Sequence, residues 1–277
     1  MALVINTNIA SLNAQRNLGK SESVLKVSLE RLSSGLRVNS AKDDAAGLYG
    51  AERMSADIRG VNQAVRNASD GISLGQTAEG ALAQIASNLQ RIREIAVQSA
   101  NGTIEDRTGL QKEVDQLTQE ISRIVQTTEF NGSALLSATS SINFQVGQDG
   151  TTSNQISVST SALTGANSYS ASLTATGVVN VSSSANASAA IASVDTDINT
   201  VSQSRATYGA VQNRFEAVIA NLQNYSENLT AARSRILDAD FAMETANLTK
   251  SQILQQAAVA MIAQANQVPQ NALALLR

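Results

Sequence analysis

The stretch YGAVQNRFEAVIANLQNYSENLTAA, residues 208–232, decides how this chain folds. Tyr208, Val211, Phe215, Val218, Leu222, Tyr225, Leu229 and Ala232 recur at alternating steps of three and four residues. That spacing puts them on one stripe of an α-helix, the pattern of a helix packed lengthwise on another. The same period extends outward. Upstream it appears in Ile191, Val194, Ile198 and Val201, in Leu110, Val114, Leu117, Ile121 and Ile124, and in Leu82, Ile85, Leu89, Ile92 and Ala96. Earlier still come Ile58, Val61, Val65, Ala68 and Ile72, then Leu18, Leu25, Leu29, Leu32 and Leu36, with a shorter piece at Ile5, Ile9 and Leu12. Downstream, Leu254, Ala258, Met261, Ala265 and Val268 close the chain.

Breaks in the pattern mark where helices turn back. ANGTIEDRTG (100–109) reads as a loop by its Gly102 and Gly109, and TEFNG (128–132) ends a helix at Asn131-Gly132. NSAKDDAAG (39–47) reads as a helix break with capping residues. The only proline is Pro269, so long unbroken helices are permitted. Residues 137–189 differ: rich in Ser, Thr, Ala, Asn and Gly, and nearly free of charge. There Ile142, Phe144 and Val146 alternate with period two, as do Ile156 and Val158, around a turn signal at Asp149-Gly150. This favours a small β-region over a disordered linker.

The expected fold is mainly α: a long antiparallel helical rod or coiled coil with a small β-hairpin region. Its parts are terminal helices at 1–43 and 233–277, a helical rod domain at 44–140 and 186–232, and the β-region at 141–185. Both ends are apolar and poor in charge. No charged side chain precedes Arg16, and none lies between Lys250 and Arg277. Residues 251–276 could span a membrane by length, but Gln252, Gln255, Gln256, Gln264, Gln267 and Gln270 would be costly in hydrocarbon. The start lacks the basic and apolar regions of a signal peptide. Both ends are therefore expected to be buried against protein, with no membrane insertion.

Composition narrows the function. The chain has no Cys and no His, which removes thiolate chemistry and the commonest general base and metal ligand. Net charge is −3, against nucleic-acid binding. The few site-like patterns fail on inspection. Asp195, Asp197 and Asn199 imitate the start of a calcium loop, but Thr200 stands at the turn position and Ala206 at the closing position. Asp43 and Asp44 are adjacent on the chain and would not face each other on a helix. Asp238 and Asp240 have no evident partner base. DGISLGQTAEG (70–80) has three glycines but no phosphate-loop Lys. No cofactor, metal or catalytic residue is expected, and the chain reads as a self-assembling structural protein rather than an enzyme.

Both flanks resemble bacterial flagellin. The blocks are MALVINTNIASLNAQRNL (1–18), LERLSSGLRVNSAKDDAAGL (29–48), LQRIREIAVQSANG (89–102), TEFNG (128–132) and the whole of 213–277. The resemblance covers about residues 1–140 and 190–277, and the short middle implies the inner domains without outer ones. It implies export through the hollow flagellum by a type III pathway with an export chaperone, and secretion to the cell exterior. It implies addition under a filament cap protein, and a helical homopolymer that serves motility and joins hook–filament junction proteins. The terminal helices would pair as the filament's inner tube. Junction proteins themselves have similar ends, but the sustained C-terminal match favours the filament subunit.

The resemblance also implies recognition of the monomer by a host Toll-like receptor, through Gln90, Arg91, Ile95 and Glu113. Arg91 and Ile95 are one helical turn apart, and neither is on the Leu82–Ala96 seam. Ile95 is read either as part of this contact or as a widening of the core stripe.

Overall fold

The computed structural model describes residues 7–274, and the side chains of residues 7–267. The expectations for Ile5, Val268, Pro269 and the tail beyond Gln267 fall outside the described side chains. Five α-helices account for most of the described chain: α1 (Ile9–Ser34), α2 (Ala45–Ala100), α3 (Thr108–Thr127), α4 (Ser184–Leu237) and α5 (Phe241–Ala274). Four short strands make two antiparallel pairs, β1 (Glu129–Phe130) with β2 (Ser133–Ala134), and β3 (Ser141–Gln145) with β4 (Gln155–Ser159). The mainly-α expectation with a small β-region holds. The chain forms two compact units, one of Met1–Ile58 with Glu227–Arg277 and one of Arg59–Ser226, whose boundaries fall inside α2 and α4.

In the first unit α1 lies antiparallel to α5. Asn8 caps α1 by accepting from Ser11 N (3.1 Å), and its Nδ2 donates to Ala265 O far along α5 (2.8 Å). At the other end of α1, Arg31 pairs with Glu244 at 3.7 Å. The buried and half-buried positions of α1 are Ser11, Ala14, Leu18, Ser21, Leu25, Ser28 and Leu32, and those of α5 are Glu244, Leu248, Ser251, Gln255, Ala258, Ile262 and Ala265. Both sets step three and four, as a paired seam requires. Small and polar residues fill much of it. Of the expected α5 seam, Ala258 and Ala265 lie on it, but Leu254 and Met261 are 46% and 63% exposed. They are larger than Ser251 and Gln255, but the geometry of pairing with α1 selects the latter face.

Gly35 ends α1 with φ 72°, the left-handed conformation of a helix C-cap, and its N–H bonds Arg31 O at 2.8 Å. The next segment is tied to the end of α4. Arg37 N and Nη2 donate to Leu237 O (2.6 Å) and Ile236 O (2.7 Å), and Ala239 N donates to Gly35 O (3.0 Å). Asp43 then accepts from Ser40 Oγ, Ser40 N and Asn39 N, and Asp44 accepts from Gly47 N at 2.8 Å.

The second unit is a bundle of α2, α3 and α4 covered by the β-region. As residue numbers fall on α2 they rise on α4: Arg93 meets Asp195, Glu79 meets Arg205, and Gly71 meets Phe215, so the two helices are antiparallel. The α2 seam runs Val61, Ala64, Ala68, Gly71, Gly75, Ala78, Leu82, Ile85, Leu89, Ile92, Ala96, all buried. Its first half is made of small residues, where the sequence reading had put Val65 and Ile72. Those two are half-buried at the stripe's edge. The small seam leaves room for a large residue on α4. A Cβ at Gly71 would overlap the ring of Phe215, which is fully buried and packs edge-on against Phe144 of β3 at 5.4 Å. Gly71, against Phe215, and Gly75, against Gln212, are thus close-packing positions.

β3 and β4 pair as the alternation foretold, with Ile142 opposite Val158 and Phe144 opposite Ile156. The β1–β2 hairpin was read only as a helix end. Asn131 and Gly132 have φ of 48° and 76°, the doubly positive turn that Asn-Gly favours in two-residue hairpins. Residues 160–183 form no strand or helix yet carry buried Leu163, Val179 and Val181. Side chains of the bundle hold this strap. Asp197 of α4, 2% exposed, accepts from Asn167 N (2.9 Å), Ser168 N (2.8 Å) and Asn167 Nδ2 (2.9 Å). Asp115 of α3 accepts from Gly177 N and Gln111 Nε2, both at 2.8 Å, and Gln111 Oε1 accepts from Val181 N at 2.7 Å. Buried backbone groups need such partners when no ladder supplies them.

Candidate functional site

The carboxylates that imitated chemical sites serve structure. Asp43 is held below the usual carboxylate range chiefly by the Ser40 hydroxyl and by the N–H groups of Ser40 and Asn39. Asp44 caps α2, and Asp240 caps α5 through Ala242 N and Met243 N. Asp238 accepts from Ser234 Oγ at 2.6 Å. Asp195 pairs with Arg93 at 2.6 Å, and Asp197 holds the strap. Among the described residues no acidic group clusters as a metal site would require, and no helix is long and apolar enough to cross a membrane.

The surface features point elsewhere. In the first unit the outer faces of α1 and α5 present Ile9, Leu12, Val24, Val27 and Leu29, and Phe241, Met243, Ile253, Leu254, Val259 and Met261, all exposed. The seam of the pair mixes Leu18, Leu25, Leu32, Leu248 and Ile262 with small and polar residues, and these further apolar side chains are left exposed beside charged ones. An exposed apolar face of this size marks an interaction surface.

In the second unit, Gln90, Arg91 and Glu113 are exposed and two of them are in direct contact. Arg91 bridges α2 and α3, its Nη2 2.7 Å from Glu113 Oε1, and its Nη1 lies 3.1 Å from Glu94 Oε2. The Glu113 carboxylate, then that of Glu94, raises the affinity of the guanidinium for its proton. Ile95 is different. It is 0% exposed and belongs to the bundle core. Leu74, Ala81, Asn88 and Ile95 recur every seven residues beside the main seam, a second stripe that α2 needs because it faces two helices rather than one. The widened-core reading of Ile95 is correct, and its side chain is closed to a partner in this fold. Val97, 51% exposed, is the apolar side chain left open on that part of α2. A single-seam reading could not find it.

Long paired helices, exposed apolar side chains and carboxylates spent on capping and clasping are the features of a structural protein that associates. The model of the bacterial flagellin N-terminal helical region matches residues 5–141, and that of the flagellin C-terminal helical region matches 191–276. The flagellin of Halalkalibacterium halodurans is 47% identical, covering 99% of this chain and 100% of that one. The flagellin of Bacillus subtilis is 44% identical, covering 99% of each. A putative flagellar hook-associated protein from Vibrio parahaemolyticus shares the fold, with TM-score 0.59 at 12% identity over 71% of this chain and 100% of that one. The chain belongs to the bacterial flagellin family. It is a structural subunit of the extracellular flagellar filament and not an enzyme.

Proposed function

We propose that the first unit is the part of this subunit that builds the filament's inner tube, with α1 and α5 as its wall. The observation that carries this reading is the set of large apolar side chains that the pair leaves exposed. Its outer apolar side chains are exposed among the described residues, and stacking copies would bury them at about 25 cal/mol per Å². Export by a type III pathway with an export chaperone, growth beneath a filament cap protein, and junction to the hook follow from the family. Replacing Leu254 and Met261 together by Glu tests the wall. Monomers should keep their helix content by circular dichroism and fail to elongate from seeds by light scattering. Normal filaments from this variant would refute the reading.

A second activity is supported by the α2–α3 surface: the monomer as a ligand of a host Toll-like receptor. Gln90, Arg91 and Glu113 are exposed together, and the Arg91–Glu113 bridge holds them in one arrangement. Ile95 would contribute only by shaping the helix beneath. Arg91→Ala should weaken binding to the receptor ectodomain about tenfold, as loss of an anchoring Arg commonly does. Unchanged binding and signalling by Arg91→Ala and Glu113→Ala, both folded, would exclude this surface.

A further inference from the structure

A filament made of one kind of subunit needs a heterologous contact: two different patches on the same chain, each fitting the other on the next copy. The second unit carries two such patches, at opposite ends of its length of α2. One is a hollow of about 550 Å³ beside the β3–β4 turn. Val61, Val146, Val218, Leu222 and Tyr225 give it an apolar lining, and Arg214 stands among them. Arg214 is exposed and has no ion-pair partner among the described residues, Asp149 of the same hollow included. Tyr225 is 40% exposed, a large aromatic with one face open.

The other patch is the loop between α2 and α3, which places Ile104, Glu105 and Asp106 in succession. Asp106 is committed to α3, accepting from Thr108 N at 2.8 Å. Glu105 is exposed and, among the described residues, has no ion-pair partner. At 1.5 Å per residue, Val61 and the end of α2 at Ala100 are about 58 Å apart. Arg107 of the same loop is turned back onto Ser99 O and Asn101 O, so among the described residues Glu105 is the free charge at one end and Arg214 the free charge at the other, as head-to-tail stacking would use them.

We propose that the hollow around Arg214 and Tyr225 receives the Ile104–Asp106 loop of a second copy of this chain, with Glu105 pairing Arg214 and Ile104 meeting the apolar lining. The proposal rests on the filament reading and adds a subunit contact within it.

Charge reversal tests it. Arg214→Glu and Glu105→Arg should each raise the critical concentration for seeded assembly about tenfold, because like charges then meet. An equimolar mixture of the two variants should assemble as the wild type does, since every hollow then meets a loop of opposite charge. Wild-type assembly by the single variants, or no gain on mixing, overturns the contact. The chain has no Cys, so Tyr225→Cys with Glu105→Cys supplies a second readout independent of assembly strength. Oxidised filaments should give a ladder of covalent multimers. Filaments without a ladder overturn the contact while leaving the filament reading intact, and a wild-type chain that never assembles counts against that reading itself. A ladder formed instead between Tyr225→Cys and Leu173→Cys would assign the hollow to the neighbour's strap and also overturn the pairing.

Discussion

The two units use the same heptad spacing to opposite ends. In the second, the seam holds Leu82, Ile85, Leu89 and Ile92, and each is at most 1% exposed. In the first, the seam alternates Leu18, Leu25 and Leu32 with Ser11, Ser21 and Ser28, while Ile9, Leu12, Leu254 and Met261 face outward. Spacing fixes which residues share a face. Side-chain size decides whether that face is sealed within one chain or left for another. The second unit has the contacts of a self-sufficient fold, whereas the first leaves many large apolar side chains exposed.

The largest expected difference is in assembly. Deleting the chain after Leu248 should abolish filament growth outright and leave the second unit helical by circular dichroism, because none of its core comes from α5. Filaments from the truncated chain would erase the contrast. Hydrogen exchange on the wild-type monomer should sharpen it. Residues 9–34 and 245–267 should exchange orders of magnitude faster than residues 74–96, since local stability follows buried apolar contact. Equal protection of both would show that the mixed seam is stronger than its composition implies.

Smaller effects map the second unit. Phe215→Ala empties the space over Gly71 and beside Phe144, and should cost about 3–5 kcal/mol in denaturant unfolding. Asp197→Ala leaves the buried N–H of Ser168 without its acceptor and should cost about 2 kcal/mol. Neither should restore or replace the function of α5. The smallest effect belongs to Asp43. Its carboxyl is depressed in the folded chain, so its contribution is present above the ordinary carboxylate range and fades as pH falls through the lowered value. Asp43→Asn should therefore reduce the thermal midpoint slightly at neutral pH and not at all in strong acid. A deficit that persists in acid would assign the effect to shape rather than charge.

Periodicity made the helices and the β3–β4 hairpin legible, because Ile142, Phe144, Ile156 and Val158 have one side to bury and alternate accordingly. It failed where a residue answers to two neighbours or to none of its own kind. Ile95 lies off the main seam and is buried because a third helix covers it. The α5 seam was misjudged at Leu254 and Met261 because they look like core by size. Asn131-Gly132 was the available signal for β1–β2, passed over because the flanking strands are only two residues long. The strap at 160–183 has no period at all. What holds it is written in Gln111, Asp115 and Asp197, on two different helices, and a local pattern cannot join them.

That strap has a consequence for the order of events. A clasp assembled from α3 and α4 exists only once those helices are in register. Until then, residues 160–183 have nowhere to fasten, and afterwards several of their backbone donors are occupied by carboxylates and amides. A long run of chain with unpaired backbone donors would otherwise invite pairing with neighbours in a crowded solution of identical subunits. Here the clasp occupies those donors and withdraws that invitation.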